Sequence, residues 1–241
     1  MKLKLTKNQY RNLLEQNTSL DIPIIGKFDV SKIPLVGDMI APKEFKKKFE
    51  KISHNTILEE RYQLKIYRRK ENNTYPKEIC VIFNGFLNVG VDYSTLPSGL
   101  LDRRTVVISE YNNKFEDVKS QLELLTKDKT STLYNQKIKI TSIIGFSLGG
   151  RIPTKYINRG YFIGLIDPYL DKESLGRSLV SDLSNVRMMY GNDIFWKSLV
   201  QSHVFDNIKK LAKKMGDKST FVNKFHTEIP KIFFEKYYKL L

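Results

Sequence analysis

The 241-residue chain has little cysteine and histidine and no long hydrophobic run. Its single cysteine, Cys80, excludes an intramolecular disulfide, and the surrounding apolar run Ile79-Cys80-Val81-Ile82-Phe83 predicts a buried, unreactive thiol. A zinc site usually needs three or four Cys, His or carboxylate ligands at short spacings, and Cys80 with His54, His203 and His226 offers no such pattern. We therefore expect no metal and no cofactor.

No stretch approaches the roughly 18 uninterrupted apolar residues that a membrane-spanning helix requires. The opening residues, Met1-Lys2-Leu3-Lys4-Leu5-Thr6-Lys7-Asn8, lack the hydrophobic region of a signal peptide. These two features predict a cytoplasmic protein.

Acidic residues are also few, so the chain carries a formal net charge of +15. Such an excess concentrates anionic partners such as nucleic acid or acidic lipid. Most of the 41 basic residues are lysine, however, whereas arginine is preferred for bidentate contacts with phosphates and bases. An AT-rich genome would give this mixture of Lys, Ile and Asn by codon usage alone. We expect no specific nucleic-acid partner, and an anionic surface stays open as a partner.

The length fits one domain with an appendage. Residues 1–55 predict a short helix over Lys7 to Gln16, a segment rich in proline and glycine, and a lysine-rich helix over Pro42 to Ile52. We predict that residues 1–55 form an N-terminal extension and that residues 56–241 form the core.

From Thr56 onward strand and helix signals alternate. Strands are predicted over residues 57–68, 78–83, 105–109, 137–144, 161–166 and 186–190, and helices over 115–125, 204–215 and 229–240. This order predicts an α/β fold with a mostly parallel central sheet and helices on both faces. The connection between Asp167 and Val186 is too short for a large cap domain.

The strand of β-branched residues that ends at Ile144 runs directly into Gly145-Phe146-Ser147-Leu148-Gly149 and then into a helix predicted to end near Gly160. A G-x-S-x-G sequence between a strand and a helix is typical of a nucleophile elbow, in which strained backbone angles expose the serine hydroxyl. Gly145 and Gly149 leave room for the neighbouring strand and helix. The Leu148 amide would face a developing oxyanion.

In this context the chain resembles the α/β-hydrolase superfamily of serine esterases, lipases and thioesterases, over about residues 57–241. The resemblance implies the α/β-hydrolase fold, a catalytic serine at Ser147 and no cofactor. The segment Phe83-Asn84-Gly85-Phe86 resembles the family's His-Gly-x signature, which implies that the Phe86 amide is the second oxyanion donor and Gly85 the motif glycine. Asn84 in place of the histidine is a departure from the family pattern.

The family order of nucleophile, acid and histidine implies that His226, just before the last predicted helix, is the general base. Two aspartates are candidates for the acid. Asp193, after the strand over 186–190, resembles the commonest family position and is the first choice; Asp167, one strand earlier, is the alternative. Pro153 is a second departure, because proline would shorten or kink the helix behind the elbow.

These features predict a serine hydrolase that cleaves a small-molecule or lipid ester or thioester through an acyl-enzyme on Ser147, in an open site. Two alternatives remain. One is a catalytically idle hydrolase-fold protein with a binding or structural role, including one in a viral or phage particle, for which Asn84 and Pro153 leave room. The other is a membrane-surface lipase steered by its positive charge.

Overall fold

A computed structural model describes the backbone of residues 19–22, 26–29, 48–53 and 202, and the backbone and side chains of residues 55–70, 74–85, 90–191 and 203–241. The helix predicted over Lys7 to Gln16 lies outside the described residues. Phe86 and Asp193, two of the predicted site residues, also lie outside them.

Eleven strands lie within the described part of the chain. They are β1 (Ser19–Ile22), β2 (Gly26–Asp29), β3 (Lys48–Ser53), β4 (Thr56–Arg61), β5 (Leu64–Arg69), β6 (Glu78–Phe83), β7 (Thr105–Ser109), β8 (Lys139–Phe146), β9 (Phe162–Ile166), β10 (Val186–Gly191) and β11 (Ser219–Val222).

Five α-helices accompany them, and within the described residues none is long and apolar enough to cross a bilayer. They are α1 (Ser98–Leu101), α2 (Phe115–Lys127), α3 (Lys172–Val180), α4 (Ser202–Met215) and α5 (Ile229–Tyr237).

Nine of the strands form one twisted sheet in the order β11-β10-β9-β8-β6-β7-β5-β4-β3, and β1 and β2 form a separate antiparallel pair. The neighbours from β7 to β11 are parallel to one another. Strand β5 runs antiparallel to both β4 and β7, and β3 runs antiparallel to β4. The carboxyl ends of the five neighbours β7, β6, β8, β9 and β10 therefore meet at one edge of the sheet.

The core consists of two apolar layers, one on each face of the sheet. Alternate residues of β6 divide between them: Val81 belongs to the layer under α2, α3 and α4, whereas Ile82 belongs to the layer under α1 and α5. A strand buried on both faces needs the continuous apolar run that 78–83 has. The predicted α/β class, with a mostly parallel sheet and helices on both faces, is confirmed.

The structure differs from the prediction at three places along the sheet. The strand predicted over 57–68 is the hairpin of β4 and β5, because Tyr62 and Gln63 both take positive φ and reverse the chain. The helix predicted over Pro42 to Ile52 is wrong over 48–53, where β3 pairs with β4 at the sheet edge. The short edge strand β11 was not predicted. The division of the chain at residue 55 stays a prediction.

Pro153 has the effect that the sequence predicts. The segment behind Ser147 consists of two short 3-10 helices, Ser147–Arg151 and Pro153–Tyr156, with proline at the first position of the second. The prediction of a single helix that reaches Gly160 is therefore wrong. Proline lacks an amide hydrogen and its ring crowds the preceding turn, so the helix is interrupted there.

Candidate active site

Ser147 lies at the turn between β8 and the first 3-10 helix, with a φ of +54°. Such left-handed backbone is costly for a residue with a side chain and persists only where the surroundings enforce it. The residue is 2% exposed, at the carboxyl edge of the sheet. This is the strained serine that the motif predicts.

Two glycines make the turn possible because backbone occupies the space that their side chains would need. A Cβ on Gly145 would lie 2.4 Å from the Gly149 carbonyl oxygen. A Cβ on Gly149 would lie 2.4 Å from the Phe83 oxygen and 2.5 Å from the Asn84 oxygen. The predicted need for small residues at both positions agrees with this geometry, and the Gly149 contacts bring the end of β6 against the elbow.

The elbow is also tied to the segment after β9. The Ser147 carbonyl accepts a hydrogen bond of 2.7 Å from the Tyr169 amide. A Cβ on Gly150 would lie 2.5 Å from the Pro168 Cβ, so glycine permits the close approach. The sequence analysis did not single out Tyr169 or Gly150; the double glycine after the serine was the available signal.

Asp167 and His226 form the central polar contact of the site. The Asp167 Oδ2 and the His226 Nδ1 are 2.5 Å apart, and both side chains are nearly fully buried, with exposures of 1% and 7%. The other carboxylate oxygen, Oδ1, accepts a hydrogen bond of 3.1 Å from the Gly191 amide. With both oxygens engaged, the aspartate fixes the orientation of the imidazole ring and favours a proton on Nδ1.

Strands β9 and β11, which lie on either side of β10, lead to these two residues. Asp167 directly follows β9 with a φ of +40°, and its amide donates to the Met189 carbonyl at 2.7 Å. His226 lies on the loop between β11 and α5, and its ring stacks on Phe146 with a centroid separation of 4.5 Å and an interplanar angle of 29°. Because Phe146 immediately precedes Ser147, the imidazole lies beside the elbow.

Of the two predicted acids, Asp167 is the one that the structure places on the histidine. Asp193, the first choice from the sequence, lies outside the described residues. The geometry therefore favours the alternative that the sequence analysis ranked second. Gly191, the donor to Asp167, was not singled out; a Cβ there would lie 2.6 Å from the Ile229 side chain.

Asn84 ties together the two ends of the loop that follows β6. Its Nδ2 donates to the Val91 carbonyl at 3.0 Å, and its Oδ1 accepts from the amides of Val91 at 3.0 Å and Gly85 at 3.2 Å. The residues between these ends, 86–89, include the predicted donor Phe86 and lie outside the described part. Asn84 thus supplies supporting hydrogen bonds at the position where the family signature has histidine.

The loop ends also contact the elbow directly. A Cβ on Gly85 would lie 3.0 Å from the Ser147 Cβ, so Gly85 lies directly against the serine. Gly90 has a φ of +114°, and a Cβ on it would overlap the Phe146 ring at 1.9 Å. Of the proposed oxyanion donors, Leu148 is buried directly after Ser147.

Within the described residues, no group of three or more His, Cys, Asp or Glu side chains could hold a metal ion.

A mostly parallel sheet in this strand order, in which the chain turns at a left-handed serine at the end of a central strand, is the α/β-hydrolase fold. Asp167 and His226 follow Ser147 along the chain, in the order that this fold uses for its acid and histidine. The sequence matches no family model and no curated relative.

Solved structures similar to the chain include a proposed carboxylesterase of Lactobacillus plantarum, with 9% identity and a TM-score of 0.47 over 81% of this chain and 98% of that one. An esterase of Pyrococcus furiosus has 10% identity and a TM-score of 0.42 over 86% and 95%. The ferric enterobactin esterase of Salmonella typhimurium has 10% identity and a TM-score of 0.42 over 96% and 72%. The fold is defined here by the strand order and the turn at Ser147.

Proposed function

We propose that the protein is a serine hydrolase that cleaves a carboxylic ester or thioester through an acyl-enzyme on Ser147. The observation that carries this proposal is the buried hydrogen bond between Asp167 and His226, on an imidazole that stacks beside the strained serine. Nucleophile, base and acid then come from three separate loops at one edge of the sheet.

In the proposed reaction the Ser147 Oγ attacks the carbonyl carbon while His226 Nε2 takes the hydroxyl proton. Asp167 stabilises the imidazolium that forms. The imidazolium then gives its proton to the departing alcohol or thiol, which leaves the acyl group on Ser147. Water attacks the acyl-enzyme while His226 takes its proton. His226 then gives that proton to the Ser147 Oγ as the carboxylic acid leaves.

The oxyanion of each tetrahedral intermediate is assigned to two backbone amides. Leu148 follows the nucleophile, where the first amides of a helical turn have no intrahelical acceptor. Phe86 is the proposed second donor, carried by the loop whose ends Asn84 joins. Asn84 is in this scheme a positioning residue, because its bonds run to loop backbone.

The experiment is active-site labelling with a fluorophosphonate, which phosphonylates activated serines. Wild-type protein should be modified once, Ser147→Ala should lose the label, and Ser142→Ala should keep it, since Ser142 is buried in β8, the strand that leads to the elbow. Intact-mass spectrometry counts the adducts, and circular dichroism verifies that both variants fold. Absence of label on wild-type protein, under conditions that modify a known esterase, would reject catalysis and favour an idle hydrolase-fold protein.

A further inference from the structure

A cavity of about 400 Å³ lies at the same edge of the sheet as Ser147. Ser147 itself does not line it. Three segments enclose it: residues 111–116 after β7, residues 151–156 in the 3-10 helices behind the elbow, and residues 171–177 after β9. Each segment leaves the carboxyl end of a parallel strand, so the cavity and the elbow share one edge.

The charges that line the cavity are of both signs. Its cationic side chains are Lys114, Arg151, Lys155 and Arg177, and its carboxylates are Glu116, Asp171 and Glu173.

All three carboxylates are engaged by neighbours in the cavity wall. Glu116 accepts a hydrogen bond of 2.7 Å from the Tyr156 hydroxyl. Asp171 caps α3 by accepting from the Ser174 amide at 2.7 Å. Glu173 pairs with Arg177 one helical turn later. Each carboxylate therefore has a hydrogen-bond partner in the wall, and Glu173 is the one paired with a cation.

The cationic side chains of the cavity have fewer partners of opposite charge. In the described part of the chain no carboxylate pairs with Arg151, which is half-buried. Burial raises the pKa of Tyr111 and of Tyr169, and the Arg151 guanidinium opposes that rise in both, so the guanidinium lies near two phenols. The Nε of Arg177 is buried without a hydrogen-bond acceptor among the described residues.

We propose that this cavity binds an anionic group of the substrate, a carboxylate or a phosphate monoester, with the Arg151 guanidinium as its main contact. The proposal rests on the proposed function, because it assigns the cavity to the molecule that Ser147 attacks. A guanidinium donates two parallel hydrogen bonds to either oxyanion, and a half-buried site strengthens the interaction relative to water.

The position of Arg151 sets the geometry of such a substrate. Arg151 is four residues beyond Ser147, at the end of the same short 3-10 helix, and the cavity that it lines lies at the same edge of the sheet as the serine. The anionic group would therefore lie a few bonds from the scissile carbonyl. A short dicarboxylic acid monoester has such a spacing.

The kinetic test compares two aryl esters of glutaric acid that differ in one group, a free carboxylate or its methyl ester. Wild-type protein should prefer the carboxylate at least tenfold in kcat/KM, and Arg151→Gln should reduce this preference at least tenfold. Arg151→Lys keeps the positive charge but cannot donate two parallel hydrogen bonds, so its preference for the carboxylate should be intermediate. Arg103→Gln is the control for charge, because Arg103 is exposed before the opposite end of β7. A wild-type preference below twofold, or one that Arg151→Gln leaves intact, would overturn the proposal.

A binding test separates this inference from the proposed catalysis. Calorimetry on Ser147→Ala protein uses monomethyl glutarate, phenyl phosphate and dimethyl glutarate as probes. At least one anion should bind, whereas the neutral diester should not. Adding Arg151→Gln should lower the affinity for that anion at least tenfold. The anion that binds with the higher affinity identifies carboxylate or phosphate as the group that the cavity recognises. If neither anion binds, the cavity proposal fails even when esters are hydrolysed; if an anion binds and no ester is hydrolysed, only the catalytic proposal fails.

Discussion

Replacement of Asp167 by asparagine should abolish most activity while leaving the fold intact. The two side chains have nearly the same shape, so the hydrogen bond from the Gly191 amide to Oδ1 can persist. What is lost is the negative charge 2.5 Å from His226 Nδ1. The amide nitrogen can in addition donate to Nδ1, which would hold the imidazole proton on Nε2, where a base must be free of it.

The magnitude follows from the contact distance. Charge centres on the carboxylate and the imidazolium lie about 4 Å apart, and at an effective dielectric constant of about 20 their attraction is about 4 kcal/mol. This attraction exists only when the histidine is protonated, in the transition state and the tetrahedral intermediate. Each 1.4 kcal/mol, roughly, corresponds to a factor of ten in rate, so kcat should fall about 1,000-fold.

The assay is hydrolysis of p-nitrophenyl acetate, with kcat and KM determined separately. Asp167→Asn should lower kcat and leave KM within about threefold, because the aspartate stabilises charge that the substrate complex has not yet developed. Asp117→Asn is the control for removal of a carboxylate, since Asp117 is exposed on α2. Asp193→Asn tests the rival acid: a 1,000-fold loss there, with activity retained in Asp167→Asn, would refute the assignment made from the geometry.

Two further predictions concern buried positions in the elbow and in β6. Gly149→Ala should lower the free energy of unfolding by about 2 kcal/mol, or Tm by about 4 to 8 °C, because its Cβ would overlap the Phe83 carbonyl oxygen at 2.4 Å. The control is Gly176→Ala in α3, where nothing lies within 4 Å of the added Cβ; it should leave Tm unchanged or raise it in the same calorimetric scan. Equal Tm values for the two variants would contradict the packing described for the elbow. Burial raises the pKa of the Cys80 thiol to about 12, so the thiolate fraction at pH 8 is about 10⁻⁴, and DTNB should react with Cys80 only after unfolding. Rapid reaction with native protein would show that the strand opens.

The sequence by itself determined the central strands and the elbow because both depend on local patterns. The continuous apolar run 78–83 forms β6 with the predicted bounds, and the strand over 105–109 is likewise reproduced. A strand that runs into G-x-S-x-G is a pattern of neighbouring residues, and it was enough to predict the left-handed conformation of Ser147. Pro153 acts locally too, and the interrupted helix behind the elbow follows from its missing amide hydrogen.

The tertiary structure alone decided which distant groups meet. In the sequence Asp167 and Asp193 each follow a predicted strand, and the resemblance ranked Asp193 first. Only the packing of the loop before α5 places His226 against Asp167. The hairpin at Tyr62 and Gln63 escaped prediction because neither residue is a usual turn former, and pairing of β4 with β5 enforces their positive φ. The cavity at Arg151 is likewise made by segments that meet only in the fold, since a side chain's partners depend on three-dimensional neighbours rather than sequence neighbours.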